Sequence, residues 1–142
     1  MTLVAQAYWE GAPFFFRQEP AEARVDSVCL LSEDRRQVLG LYWRRASHPR
    51  PRVAVVLMHP RVDFSRHYTI PRLLDAGIGV LTANTRNPNN DTTTVHEEII
   101  LDLGACVRGL RESWGVEKVV LIGNSGGGSL DALYQSQAAL VR

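Results

Sequence analysis

Cysteine and lysine are scarce in this chain. Its 142 residues include two cysteines, Cys29 and Cys106, and a single lysine, Lys118, and its formal net charge is +1. The two cysteines are far apart, lack the spacing of a metal site and lie in apolar surroundings, so we expect buried thiols rather than a disulfide. Because the charges are balanced and the arginines are scattered, the sequence indicates no nucleic acid and no acidic membrane surface as a partner. We expect neither a metal nor a cofactor.

Long hydrophobic runs and targeting signals are also missing. No apolar run approaches the ~20 residues that a membrane span requires. Residues 1–5 contain no basic segment followed by an apolar core, so no signal peptide is indicated and a cytoplasmic location is expected. The hydrophobic share of 45% and the charged share of 22% are typical of a globular protein. The length predicts one domain, residues 1–142, with an irregular N-terminal segment over residues 1–24. Its aromatic cluster, residues 14–16, is expected to pack onto the core.

The remainder of the chain alternates between strand and helix patterns. Residues 25–31 and 37–44 flank a polar turn and predict an antiparallel hairpin with one wetter face. Apolar runs predict further strands at residues 53–58, 78–83 and 116–122, and helical periodicity predicts helices at residues 65–76, 95–114 and 129–141. We expect Thr94 to cap the second of these helices, with Glu97 as its capping-box partner. The order β-α-β-α-β-α favours a parallel sheet with helices on both faces.

A Gly-x-Ser-x-Gly pattern follows the last predicted strand. It reads Gly123-Asn124-Ser125-Gly126-Gly127, and it is followed by a helix-like segment. Strand, sharp turn and helix are the context in which this pattern indicates a nucleophile elbow. Two other interpretations exist. One is a glycine-rich turn without chemistry. The other is a dinucleotide loop, in which Ser125 replaces a glycine that lets the backbone approach the pyrophosphate, and no room remains for the later acidic residue.

From residue 25 to residue 142 the chain resembles the α/β-hydrolase fold. The resemblance depends on the elbow and on the His59-Pro60 turn that ends the first central strand, with the hairpin and the strand–helix order in support. Many relatives have His-Gly at this turn, and this chain has Pro60 in place of the glycine. Because proline has no N–H, Pro60 cannot donate a hydrogen bond to an oxyanion. The expected fold is therefore α/β, a three-layer α/β/α sandwich with a mostly parallel sheet and an N-terminal antiparallel hairpin, as a truncated α/β-hydrolase fold.

The resemblance also implies roles for individual residues. Ser125 would be the nucleophile, flanked by the elbow glycines Gly123 and Gly127. The backbone N–H of Gly126 and that of Arg61 would donate to the oxyanion, with Val62 held in reserve, and His59 and Pro60 would support the oxyanion turn. Two donors are needed because the tetrahedral intermediate concentrates charge on one oxygen. The implied activity is esterase-like hydrolysis of a small acyl substrate through an acyl-enzyme.

The acid and the histidine that the resemblance requires should follow the serine, but they do not. After Ser125 the chain has one acid, Asp131, which we expect to be a solvated helix residue, and no histidine. The four histidines precede Ser125. We expect His59 to support its turn and take none of the four as the base, and His67 is expected on the surface. The chain therefore resembles the N-terminal half of an α/β hydrolase, and residues 119–122 would form an exposed apolar sheet edge.

Three functions remain open at this point. The first is a serine hydrolase of which this chain is a part. The second is a non-catalytic truncated product, or a chain that depends on self-association or on a partner at the exposed edge. The third is a small-molecule binding protein that uses the crevice at the strand ends, with the polar loop at residues 84–94 in contact with the ligand.

Overall fold

A mixed sheet forms the centre of the computed structural model, which describes residues 15–16 and 19–138. Within those residues the strands are β1 (Ala23–Leu31), β2 (Gln37–Arg45), β3 (Val53–Leu57), β4 (Gly79–Ala83) and β5 (Lys118–Ile122). The helices of the same residues are α1 (Ile70–Asp75), α2 (His96–Trp114) and α3 (Gly126–Ala138). None of these helices is long and apolar enough to cross a membrane.

The strand order of the sheet is β1-β2-β4-β3-β5. Strand β2 pairs antiparallel with both β1 and β4, whereas β3 pairs parallel with β4 on one side and with β5 on the other. In register, Val56 lies opposite Leu81 and Leu121. The predicted hairpin and the predicted parallel strands are therefore confirmed. The chain leaves β3 towards β4 and then crosses back past β3 to β5, so the sheet has a topological switch point at the carboxyl ends of β3 and β5.

Each face of the sheet carries its own hydrophobic core. On one face, Ala54 and Val56 of β3 pack in the cluster that contains Leu103, Cys106 and other buried residues of α2. On the other face, Val55 and Leu57 pack in the cluster that contains Ile70 of α1. Successive side chains of a strand point to opposite faces, so the continuous apolar run of β3 is what a strand buried on both sides requires. The three-layer arrangement agrees with the prediction.

Three predicted helix starts differ from the structure. Helix α3 begins at Gly126 rather than at residue 129. Helix α1 begins at Ile70, not at residue 65, because Pro71 in its first turn favours a start there and disfavours helical backbone before it. Helix α2 begins at His96 after an extended Val95, and no side chain caps it. The predicted capping box at Thr94 is wrong, because the Thr94 hydroxyl donates to the carbonyl of Asn90 at 2.6 Å instead.

Burial corrects three expectations about single residues. Cys106 is buried as expected, but Cys29 is exposed, because it lies on the face of β1 opposite the one that packs on α2. His67 is 3% exposed rather than at the surface. Asp131 is half-buried, and its buried Oδ1 atom has no hydrogen-bond partner among the described residues.

Much of the predicted irregular segment, residues 1–24, lies outside the described residues, as does residue 14 of the aromatic cluster. Phe16 is described, and its ring meets the ring of Trp43 edge-on at 5.4 Å between centroids. Phe16 thus packs onto the core as expected, whereas Phe15 of the same cluster is 48% exposed.

Candidate active site

The turn between β5 and α3 holds Ser125 in a strained backbone conformation. Ser125 has a φ of +54° and an exposed side chain. Positive φ is uncommon for residues other than glycine and costs about 1–3 kcal/mol, so the surrounding turn must enforce it. Gly123 permits the turn, since a Cβ on Gly123 would overlap the backbone of Gly127 and Gly128. The sequence pattern thus folds into a tight strand–turn–helix with the serine at its apex.

Backbone N–H groups lie directly after the serine. The N–H of Gly127 donates to the carbonyl of Asn124 at 2.9 Å, and that of Gly128 donates to the carbonyl of Ser125 at 3.0 Å. Within the described part of the chain, the N–H of Gly126 donates to no acceptor. Because the first N–H groups of a helix carry partial positive charge, this position favours an anion.

A second turn, at the carboxyl end of β3, contacts the elbow. A Cβ placed on Gly127 would lie 2.7 Å from the carbonyl oxygen of Met58, and one on Gly126 would lie 3.2 Å from Nε2 of His59. Pro60 is the next neighbour of Gly126, at 3.4 Å by the same measure. The absence of side chains at Gly126 and Gly127 therefore lets the His59-Pro60 turn lie against the elbow. The structure brings His59, Pro60 and Ser125 to the same end of the sheet.

The imidazole of His59 accepts two backbone hydrogen bonds from its own turn. Nδ1 receives the N–H of Arg61 at 3.2 Å and the N–H of Val62 at 3.0 Å. Burial lowers the pKa of His59, the charge of Arg61 lowers it further, and Asp91 opposes the shift. Both observations favour a neutral ring that carries its proton on Nε2. The N–H of Arg61, suggested as an oxyanion donor, and that of Val62, its reserve, are therefore both directed at this ring in the structure.

The polar loop after β4 contacts the His59-Pro60 turn through hydrogen bonds and an ion pair. The hydroxyl of Thr85 donates to the carbonyl of Pro60 at 2.7 Å. The N–H of Asn89 donates to the carbonyl of Arg61 at 2.8 Å. Asp91 forms an ion pair with Arg61 at 3.3 Å. The sequence suggested a ligand contact or an ordinary turn for this loop, and these contacts join it to the turn that carries His59.

Arg86 anchors that loop to α2. Its backbone N–H donates to Asp102 at 2.8 Å, and its guanidinium donates to both oxygens of the same carboxylate. Asp102 is fully buried, and the guanidinium also pairs with Asp34. These bonds raise the pKa of Arg86. The sequence carried a signal for this pair, since Asp102 is an acid among the apolar positions of α2, between Ile99 and Leu103.

The remaining titratable candidates lie in other surroundings. The ring of His67 meets the ring of Phe64 edge-on, with centroids 4.8 Å apart, and its Nδ1 lies 2.9 Å from the hydroxyl of Thr69. Burial raises the pKa of Asp131 to about 6. Among the described residues, no hydrogen bond joins the Ser125 hydroxyl to a histidine or a carboxylate. Over the same residues, no group of three or more His, Cys, Asp or Glu side chains is placed to hold a metal ion.

The fold of the described residues is similar to that of several solved enzymes. Brefeldin A esterase, a bacterial homologue of human hormone-sensitive lipase, is 18% identical, with a TM-score of 0.67 over 96% of this chain and 42% of that one. The Pyrococcus furiosus esterase Pf2001 is 23% identical, with a TM-score of 0.67 over 80% of this chain and 46% of that one. A structure from a study of two prolyl endopeptidases is 21% identical, with a TM-score of 0.69 over 85% of this chain and 20% of that one.

These neighbours are α/β hydrolases, and the described residues have the α/β-hydrolase fold. The expectation drawn from the elbow and the strand order is thereby confirmed at the level of the fold. No family model and no curated protein sequence matches the chain. The chain spans less than half the length of each of these three neighbours.

Proposed function

We propose that this chain is the nucleophile-bearing part of a serine hydrolase that acts on an ester or a similar acyl compound, with Ser125 as the nucleophile. The observation that carries the proposal is the exposed Ser125 at φ +54°, next to the unpaired N–H of Gly126. A turn that holds a serine in a costly conformation while aligning N–H groups beside it suits attack on a carbonyl carbon. The esterases among the structural neighbours support the same reaction class.

In the proposed reaction, Oγ of Ser125 bonds to the acyl carbon and the carbonyl oxygen becomes an oxyanion. The N–H of Gly126 is one donor to that oxygen, and the turn after β3 supplies the second. Collapse of the intermediate expels the alcohol and leaves an acyl-enzyme, which water hydrolyses. The base that takes the Ser125 proton is not among the described residues. His59 does not serve as this base, because its Nδ1 already accepts two N–H groups and its Nε2 carries the proton.

The test is turnover of a p-nitrophenyl ester by the protein isolated from its source. Ser125→Ala should abolish turnover and also abolish covalent labelling by a fluorophosphonate, read as an intact-mass adduct. Ser129→Ala is the matched control, since Ser129 is an exposed serine on the helix that follows Ser125 and its loss should leave both signals unchanged. Turnover that persists in Ser125→Ala would remove the assignment of the nucleophile.

A second candidate function is favoured by one observation, the position of β5. Within the described residues this strand pairs with β3 alone, and its apolar side chains are only half-buried. An edge of this kind is suited to another strand. In this alternative the chain acts only with a second copy or a partner chain that covers β5. If the 142-residue chain is monomeric in solution and turns over the ester by itself, this alternative fails.

The small-molecule binding function has less support, because several polar groups of the loop at residues 84–94 are hydrogen-bonded to the His59-Pro60 turn and to α2. A tight ligand whose affinity is unchanged by Ser125→Ala would favour it. The expected cytoplasmic location stays a prediction.

A further inference from the structure

The imidazole of His59 presents a polar hydrogen towards the elbow. Its Nδ1 accepts the N–H groups of Arg61 and Val62, so the proton of the neutral ring is on Nε2. Nε2 lies within 3.2 Å of where a Cβ on Gly126 would stand. Among the described residues this Nε2–H has no acceptor. The histidine thus has one nitrogen fixed by its own turn and a free donor beside the residue that follows Ser125.

The backbone of the same turn offers less to an anion. Pro60 has no N–H. The N–H groups of Arg61 and Val62 already donate to Nδ1 of His59, at 3.2 and 3.0 Å. To use either of them for an oxyanion, the turn would have to break a hydrogen bond to the ring during the reaction. A donor that is already aligned costs no such reorganisation.

We propose that Nε2–H of His59 is the second oxyanion donor, acting together with the backbone N–H of Gly126. This inference rests on the proposed function, in which Ser125 is the nucleophile. When Oγ of Ser125 bonds to the acyl carbon, the π electrons of the carbonyl move to its oxygen, and that oxygen accepts both hydrogen bonds. The Oγ proton goes to an imidazole general base that none of the four histidines of this chain provides. When the carbonyl re-forms, the alcohol leaves with that proton and His59 keeps its own.

The two hydrogen bonds to Nδ1 become positioning contacts in this arrangement. They hold the ring in one orientation and select the tautomer that carries the proton on Nε2. The loop after β4 fixes the turn in its place through Thr85 and Asn89. The lowered pKa of His59 keeps the ring neutral at pH 7, so that Nδ1 remains an acceptor. Side chain, turn and loop together preorganise one N–H donor.

Two amide substitutions separate the donor from the acceptor role of the ring. In His59→Asn, the amide oxygen reaches the position of Nδ1 and keeps the acceptor for the turn, but no donor reaches the position of Nε2. In His59→Gln, the longer amide places an N–H donor near the position of Nε2 and gives up the acceptor at Nδ1. A catalytic donor and a purely structural histidine therefore predict opposite orders of activity for the two variants.

The experiment measures kcat and KM for a p-nitrophenyl ester with the protein isolated from its source. We expect His59→Asn to lower kcat by about 10²–10³-fold with little change in KM, as for loss of one oxyanion donor. His59→Gln should retain most of the activity. Full activity in His59→Asn together with loss in His59→Gln would overturn the inference and make His59 a support of the turn. Circular dichroism checks that both variants fold.

A spectroscopic measurement follows the same proton without relying on turnover. Uniformly ¹⁵N-labelled protein should show a protonated Nε2 and an unprotonated Nδ1 for His59. After a fluorophosphonate reacts with Ser125, the Nε2–H proton should move downfield, because it then donates to a phosphoryl oxygen. An unchanged ring signal with a shifted amide of Arg61 would instead assign the donor to the backbone. If Ser125→Ala keeps its turnover, the proposed function fails first, and the inference fails with it.

Discussion

At the scale of single residues, the turn around Ser125 depends on the absence of a Cβ at Gly123. Ser125 has a positive φ, and the backbone of Gly127 and Gly128 lies so close to Gly123 that a Cβ on Gly123 would overlap it. Strain at Ser125 is thus stabilised by close backbone packing at Gly123. The two features are coupled, so a change at Gly123 should affect both the stability of the chain and the orientation of the serine.

Gly123→Ala is expected to destabilise the chain by at least about 2 kcal/mol, because neither neighbouring backbone segment can move away without disrupting the start of α3. The measurement is urea unfolding followed by circular dichroism. Gly128→Ala is the matched control: a Cβ there meets only the carbonyl oxygen of Gly123 at 3.7 Å. Since alanine favours a helix over glycine by up to ~1 kcal/mol, the control should be as stable as the wild type or more so. Equal losses in the two variants would contradict this account of the elbow.

Asp131 provides a second residue-scale prediction. Burial raises the pKa of this carboxyl from 3.8 to about 6, so the folded state holds the proton more tightly than the unfolded state. The resulting stabilisation is complete below about pH 3.8 and is lost as the pH rises through about 6. Asp131→Asn should therefore raise the melting temperature at pH 8 and have a smaller effect at pH 4. Glu112→Gln, an exposed substitution on α2, should show no such pH dependence.

At the scale of elements, one loop links α2 to the site. Arg86 ties the loop after β4 to Asp102 of α2, and Thr85 of the same loop holds the carbonyl of Pro60. The side chain of Arg86 is 6% exposed and that of Asp102 is fully buried. A buried charge that loses its partner is costly, so this pair controls the position of the loop and, through the loop, the turn that carries His59.

Asp102→Asn should destabilise the chain by about 3 kcal/mol, because it removes the carboxylate that neutralises a buried guanidinium. Glu98→Gln is the control, since Glu98 also faces Arg86, at 3.7 Å, but is 54% exposed. Its loss should change the free energy of unfolding by less than about 0.5 kcal/mol. Urea unfolding measures both. Similar effects of the two substitutions would show that burial of the Arg86–Asp102 pair does not govern the loop.

At the scale of the whole molecule, the sheet has unequal edges. Strand β1 forms one edge and packs its Leu30 against α2, whereas β5 forms the other edge with half-buried apolar side chains. Two grooves border α3, the helix that follows β5, and one of them is lined by Val119 and Leu121 of that strand. The edge formed by β5 is thus the edge next to Ser125.

The 142-residue chain by itself is expected to self-associate through β5. Sedimentation velocity should show a concentration-dependent increase in mass, because an unpaired edge strand with apolar side chains readily pairs with another strand. Val120→Lys adds a charge to this edge and should shift the chain towards the monomer. Leu39→Lys is the control, because Leu39 is a 58% exposed apolar residue of β2, which has neighbours on both sides. A monomeric wild-type chain at high concentration would contradict the prediction.

Local patterns in the sequence determined most of the architecture. The apolar run of β3, the period of α2 and the glycines around Ser125 each specify a local structure through their own geometry, so strands, helices and the elbow were predictable within a few residues. The predicted cap at Thr94 does not form, because the Thr94 hydroxyl donates to the backbone carbonyl of Asn90 in the loop instead.

Only the tertiary structure decided what surrounds the serine. The spacing of His59, Arg86 and Asp102 in the sequence does not predict that the loop after β4 bonds to a buried acid. Nor does it predict that the same loop holds the turn that carries His59. Nor does it show that the ring of His59 takes up the N–H groups of its own turn. Such contacts join segments that are distant in sequence, and they form only when the strand order brings the ends of β3 and β5 together. The sequence alone therefore specified the strand–turn–helix that carries Ser125, while packing decided which groups lie against it.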